Sequence, residues 1–216
     1  VFMTQNLSDA ISTWAFAAEG LEETVPLDAQ SVPGSPLVSA IGDYDGFLHE
    51  ELTVSPALGR HSPSMGTTGS VAVAALAPQR VARAGSELYV SADGGVGWTL
   101  VERPSTQTGG RLAYSADGAV LLWAAGAQVY RSDDQGASWT LALGIPGNTS
   151  PTADGVDSSK FYAYERNSGA FYVSVDGGQS FENRVNVPTG GARRIRSVPG
   201  FEGEVWLPLN GGGLTR

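Results

Sequence analysis

Four carboxylates, Asp43, Asp45, Glu50 and Glu51, and one imidazole, His49, fall within nine positions directly after the apolar run Leu37-Val38-Ser39-Ala40-Ile41-Gly42. Carboxyls gathered in this way are the equipment of general acid and base chemistry. Burial or a neighbouring charge can keep one protonated while another stays ionised. The apolar run has strand composition, and a strand exit is where a rigid backbone hands side chains to a loop. Asp43, one residue beyond the turn glycine, is the best placed of the set. The same residues also suit an ordinary turn, because Asp accepts local amide hydrogen bonds and Gly takes positive φ. The local pattern leaves both readings open.

Composition narrows the setting. With 41% hydrophobic residues in 216, the chain has ample material for a core, and 29 glycines with short clusters of Val, Leu, Tyr, Phe and Trp favour many short strands joined by tight turns. The fold class expected is all-β. A net charge of −9 argues against nucleic acid and against an anionic membrane as partners. There is no cysteine, hence no disulfide framework and no thiol nucleophile. Only His49 and His61 are present, so no histidine-rich metal site is expected, and nothing in the sequence asks for a cofactor. No apolar run approaches membrane-span length, and Val1-Phe2-Met3-Thr4 lacks the layout of a signal peptide.

The elements that must position the acids come from a repeat. Ser91-Ala92-Asp93-Gly94-Gly95-Val96-Gly97-Trp98, Ser132-Asp133-Asp134-Gln135-Gly136-Ala137-Ser138-Trp139 and Ser174-Val175-Asp176-Gly177-Gly178-Gln179-Ser180-Phe181 share the form S-x-D-x-G-x-(S/T/G)-(W/F). Their spacing matches one four-stranded propeller blade of about 40 to 50 residues. Each follows an alternating strand with an aromatic (Leu88-Tyr89-Val90, Val129-Tyr130-Arg131, Phe171-Tyr172-Val173), so each reads as a hairpin turn. Blades are expected at about 70–102, 111–143 and 152–185, with part of another at 193–216. Arg216 arrives where the next hairpin is due, so the propeller reads as incomplete. Residues 1–36 are read as an N-terminal connection with first strands, one of them around Ile11 to Ala17, and 37–216 as the partial propeller domain. Ser115-Ala116-Asp117-Gly118 opens like the repeat but lacks its later Gly and aromatic, and reads as a plain turn between two strands.

The S-x-D-x-G-x-x-W hairpin resembles the Asp-box, or BNR repeat, of sialidases, sortilin-type receptors, photosystem assembly factors and several glycanases. In those families the box is a structural turn at the blade periphery. The resemblance therefore implies structural roles for Asp93, Trp98, Asp134, Trp139, Asp176 and Phe181. Three further stretches are more specific: Gly20-Leu21-Glu22-Glu23-Thr24, Pro36 to Leu52 with its Gly42-Asp43-Tyr44-Asp45-Gly46-Phe47 core, and Met65-Gly66-Thr67-Thr68. Together with Lys160 to Tyr164 and Val198 to Leu207 they resemble glycoside hydrolase family 74, the xyloglucanases and oligoxyloglucan reducing-end-specific cellobiohydrolases.

That resemblance implies a secreted enzyme built from two propellers, with the glycan between them and one catalytic Asp on each. This chain would be part of the C-terminal propeller and would need the N-terminal one as its partner. The Asp of the G-D-x-x-G-F motif falls on Asp43, which the resemblance makes the general acid of an inverting mechanism on the β-1,4-glucan backbone of xyloglucan. Such an acid must hold its proton near neutral pH, and Asp45 is the neighbouring carboxylate at hand. Tyr44, Asp45 and Phe47 beside the acid are candidates for substrate contact, although Phe47 equally suits a turn plug. Glu22 and Glu23 read either as a solvated pair or as cleft hydrogen-bond partners. A non-catalytic propeller for glycan or protein recognition is the competing reading. Arg193, Arg194 and Arg196 sit together on one short strand, unlike the dispersed arginines a sialidase needs.

Overall fold

The computed structural model describes residues 2–4, 11–16, 24–190, 194–209 and 213–215, and among these there is no helix. Strands β1 (Phe2–Met3) and β2 (Ala15–Phe16) form a two-stranded ribbon. The first blade contains β3 (Val25–Gln30), β4 (Leu37–Gly42) and β5 (Leu48–His49). The second contains β6 (Thr68–Val73), β7 (Val81–Gly85), β8 (Leu88–Ser91) and β9 (Thr99–Val101). The third runs β10 (Arg111–Tyr114), β11 (Leu121–Ala125), β12 (Gln128–Ser132) and β13 (Thr140–Leu141). The fourth runs β14 (Thr152–Ala153), β15 (Phe161–Tyr164), β16 (Ala170–Ser174) and β17 (Glu182–Asn186). The fifth has β18 (Arg196–Ser197), β19 (Val205–Leu209) and β20 (Gly213–Thr215).

Every pairing between the named strands is antiparallel and joins consecutive strands, and the innermost strands β3, β6, β10, β14 and β18 lie side by side in that order. This is a propeller with blades missing. The second, third and fourth blades are covered on both faces by their neighbours, so their middle strands are largely apolar at successive positions instead of alternating. In β11, Leu121, Trp123 and Ala125 pack toward the second blade, while Leu122 and Ala124 pack toward the fourth. The same division makes a core between first and second blades (Val38, Ala40 and Leu48 against Val71, Val73 and Val81) and one between fourth and fifth (Tyr162 and Tyr164 against Ile195 and Leu207).

Each repeated hairpin joins the third strand of its blade to the outer one. Its serine donates to its own aspartate (Ser91 to Asp93 at 2.7 Å, Ser132 to Asp134 at 2.8 Å, Ser174 to Asp176 at 2.7 Å). The aspartate then accepts the amide four residues on, from Gly97, Ser138 and Ser180. Burial pushes the Asp176 carboxyl up, but such hydrogen bonds together outweigh it and hold all three carboxyls below the usual range. The glycine between them abuts the preceding blade: at Gly136, with φ of 89°, a Cβ would lie 2.5 Å from Val101 Cγ1. The closing aromatics Trp98, Trp139 and Phe181 pack on the cores shared with the preceding blade, so all six box residues sit in the framework. Ser115 and Asp117 reproduce the opening bond at 2.6 Å, but there the chain returns directly to the next strand.

One expectation is corrected. The boundary at 36/37 runs through the first blade, because Val25–Gln30 pairs with Leu37–Gly42 along five residue pairs. The segment carries Pro26 beside a register shift and Asp28 within the strand, both of which weaken a strand signal. Asp28 accepts Arg194, and Arg196 at 3.2 Å, so the first blade is tied across the axis to the fifth. The bond crosses an axial cavity of about 180 Å³ that Ser70, Arg111 and Asp154 also line. Trp206 on β19 is 41% exposed, and its Nε1 donates to Glu204. Trp123, by contrast, is fully buried with its Nε1 on the Gly109 carbonyl at 2.8 Å.

Candidate active site

Strand β4 ends at Gly42, and the chain reverses over 43–46 so that Ile41 N–H reaches the Asp45 carbonyl at 3.2 Å and Ser39 N–H reaches that of Phe47 at 2.9 Å. The reversal needs left-handed backbone at three residues: φ is 69° at Asp43, 62° at Asp45 and 124° at Gly46. Asp is among the few side chains that tolerate this region, and Gly46 has no alternative, since a Cβ there would stand 2.0 Å from the Ser39 carbonyl oxygen. Strain of this kind persists where the surroundings impose it, commonly at functional sites.

The consequence is a carboxylate on open surface. Asp43 is exposed, and among the described residues its side chain makes no hydrogen bond or ion pair. Tyr44 beside it is 49% exposed. Asp43 lines neither of two depressions on the described surface. One is the axial cavity, and the other, about 390 Å³, lies between Gly34, Pro36, Leu37, His49, Glu50 and Leu52.

Behind the turn lies a buried charged cluster. Asp45 is fully buried, accepts Ser64 Oγ at 2.7 Å and the Met65 amide at 2.6 Å, and faces the Arg83 guanidinium at 3.8 Å. Arg83, also fully buried, lies between the rings of Tyr89 (4.6 Å) and Trp98 (4.7 Å) and donates to the Pro63 carbonyl. Burial pulls its pKa down to about 10, with Asp45 opposing, so it stays charged. His61 Nε2 bonds the Ser39 carbonyl at 3.1 Å and must therefore carry the proton there, while the ring meets Trp98 edge to face at 5.3 Å. His49 Nε2 lies 3.1 Å from Ser39 Oγ, and burial lowers its pKa.

Burial is the largest cause that brings the His61 pKa to about 4 from an ordinary 6.5; the Ser39 carbonyl opposes it and Arg83 adds to it. The unfolded chain thus binds a proton first. The stability associated with neutral His61 is complete above about pH 6.5 and is lost as pH falls toward 4. Replacing His61 with Gln, which keeps a donor for Ser39, is expected to flatten the dependence of unfolding temperature on pH across that window. An unchanged slope would show that the imidazole does not carry it.

The sequence-predicted residues therefore separate. Asp43 and Tyr44 share the surface. Asp45, expected to contact substrate and to act as charged neighbour of the acid, instead has its carboxylate consumed by Ser64, Met65 and Arg83 beneath the turn. Phe47 is half-buried, its ring edge to face with His49 at 5.9 Å. Glu51 caps its own loop at Thr53, and Glu50 is exposed, so the acids do not converge. Glu22 and Glu23 lie outside the described residues. Arg83 was missed, although its signal was present: a single cation inside the otherwise apolar strand Val81-Ala82-Arg83-Ala84-Gly85.

Five adjoining sheets with three such hairpins define the class as an incomplete Asp-box β-propeller with an open acid at a strand exit. No protein-family model matches the chain. A xyloglucanase from Paenibacillus sp. is 38% identical over 206 residues, which is 88% of this chain and 20% of that protein. The crystal structure of the GH74 enzyme of Niastella koreensis superposes with a TM-score of 0.86 at 38% identity, over 99% of this chain and 32% of that one. The GH74 xyloglucanase of Xanthomonas campestris gives 0.83 at 35% identity, over 99% and 33%. The chain belongs to glycoside hydrolase family 74, and it spans a fifth to a third of the length of these relatives.

Proposed function

We propose that the protein hydrolyses the β-1,4-glucan backbone of xyloglucan by an inverting two-carboxylate mechanism, and that this chain supplies the general acid, Asp43. The observation that carries the reading is the exposed Asp43 carboxyl, unbonded within the described residues and aimed by a turn that left-handed backbone and buried charge hold in place. Support for the substrate comes from the relatives, whose names describe xyloglucanases. An acid on one wall suits the chemistry, because inversion needs a second carboxylate about 6.5–9.5 Å away across the scissile bond, with room for a water. A second propeller facing this one supplies that base. Tyr44 offers an exposed ring for a sugar face beside the acid. A polysaccharide of this size is met outside the cell, so the protein acts as a secreted enzyme.

Proton NMR of xyloglucan digestion by the full-length protein tests the stereochemistry. The first product anomer from the β-linked chain is expected to be α, relaxing to the equilibrium mixture by mutarotation. A β product from the outset would contradict inversion. No hydrolysis at all, with retained glycan binding, would favour the recognition propeller.

A further inference from the structure

We propose that Thr67 and Asp45 are positioning residues for Asp43, with Arg83 acting through Asp45, so that the 61–67 loop is a template that sets the direction of proton delivery. This rests on the reading of Asp43 as the acid. The carboxyl makes no bond of its own within the described residues, so its place is decided by its backbone. The turn that carries that backbone is tied to one segment by five bonds, one of them to Asp43 itself: Asp43 N–H to Thr67 Oγ1 (3.2 Å), Asp45 N–H to the Gly66 carbonyl (3.1 Å), Ser64 Oγ and Met65 N–H to the Asp45 side-chain carboxylate, and His61 N–H to the Gly46 carbonyl (2.9 Å).

Arg83 locks turn and template together from beneath, through Asp45 on one side and the Pro63 carbonyl on the other. A buried ion pair is a poor source of net stability compared with apolar packing, and setting a register is its better attested use. Acid catalysis has the matching need: a displacement of about 1 Å from productive geometry can cost on the order of 100-fold.

Thr67 is exposed and gives the cleanest variant, because Thr67→Val removes the acceptor and keeps the shape. In the full-length protein, kcat on xyloglucan is expected to fall about tenfold, with KM within about twofold and the unfolding temperature nearly unchanged. Thr67→Ser, which keeps the hydroxyl, is expected to restore kcat. On a 2-chloro-4-nitrophenyl glycoside of a xyloglucan oligosaccharide, whose phenolate leaves without protonation, Thr67→Val is expected to match wild type. Ser64→Ala, which loosens Asp45, should repeat the pattern more weakly. Unchanged kcat in Thr67→Val, failure of Ser to rescue, or equal losses on both substrates would overturn the proposal while Asp43→Asn remains inactive on xyloglucan. Full turnover by Asp43→Asn would remove the acid assignment and this inference together.

Discussion

Asp43→Asn in the full-length protein is expected to lower xyloglucan turnover by roughly 10³- to 10⁴-fold, the upper part of what a positioned acid contributes. The fold should be untouched. Asn has the same shape, accepts the φ of 69° better than any other uncharged side chain with a Cβ, and no bond within the described residues is lost with the charge. Reducing-end release measures the first expectation, and coincident thermal unfolding of variant and wild type measures the second. Alanine would be a poorer probe, because it adds strain at a left-handed residue and confuses chemistry with geometry.

Gly46→Ala is expected to have the largest effect on the framework. Its Cβ would sit 2.0 Å from the Ser39 carbonyl oxygen, a backbone atom of the strand that carries the turn, and φ of 124° lies outside what a side chain accepts. Relief requires the turn to lift from β4, which breaks the Ser39–Phe47 and Ile41–Asp45 bonds and withdraws Asp45 from Arg83. The cost is on the order of 3 kcal/mol, which for a chain of this size lowers the unfolding temperature by about 6–12 °C. Gly34→Ala is the control: φ there is 78°, yet nothing lies within 4 Å of the added Cβ. If Gly46→Ala cost no more than Gly34→Ala, the close contact at the turn would be wrong.

The blades were legible because their signals are local. A box closes within eight residues through Ser, Asp and Gly, and strands such as Leu121-Leu122-Trp123-Ala124-Ala125 announce burial on both faces by having no polar position. That Asp43 stands at a strand exit was legible for the same reason. What escaped depends on distant pairing. The strand Val25–Gln30 is held by β4 and by Asp28 reaching Arg194 and Arg196 more than 160 residues away, which no local pattern encodes. Asp45 was misplaced because alternation about a turn fails where φ is positive. The chain turns its carboxylate inward to an arginine 38 positions later, a partner that only packing of the second blade against the first brings near.

Proton donation by Asp43 is tested most directly by comparing Asp43→Asn on two leaving groups, xyloglucan and the 2-chloro-4-nitrophenyl glycoside of the same oligosaccharide. Donation predicts that the variant loses nearly all turnover on the polymer but keeps most of it on the phenol, which departs as its anion. Equal losses on both, in a protein with unaltered unfolding, would contradict it and assign the carboxylate some other part in the reaction.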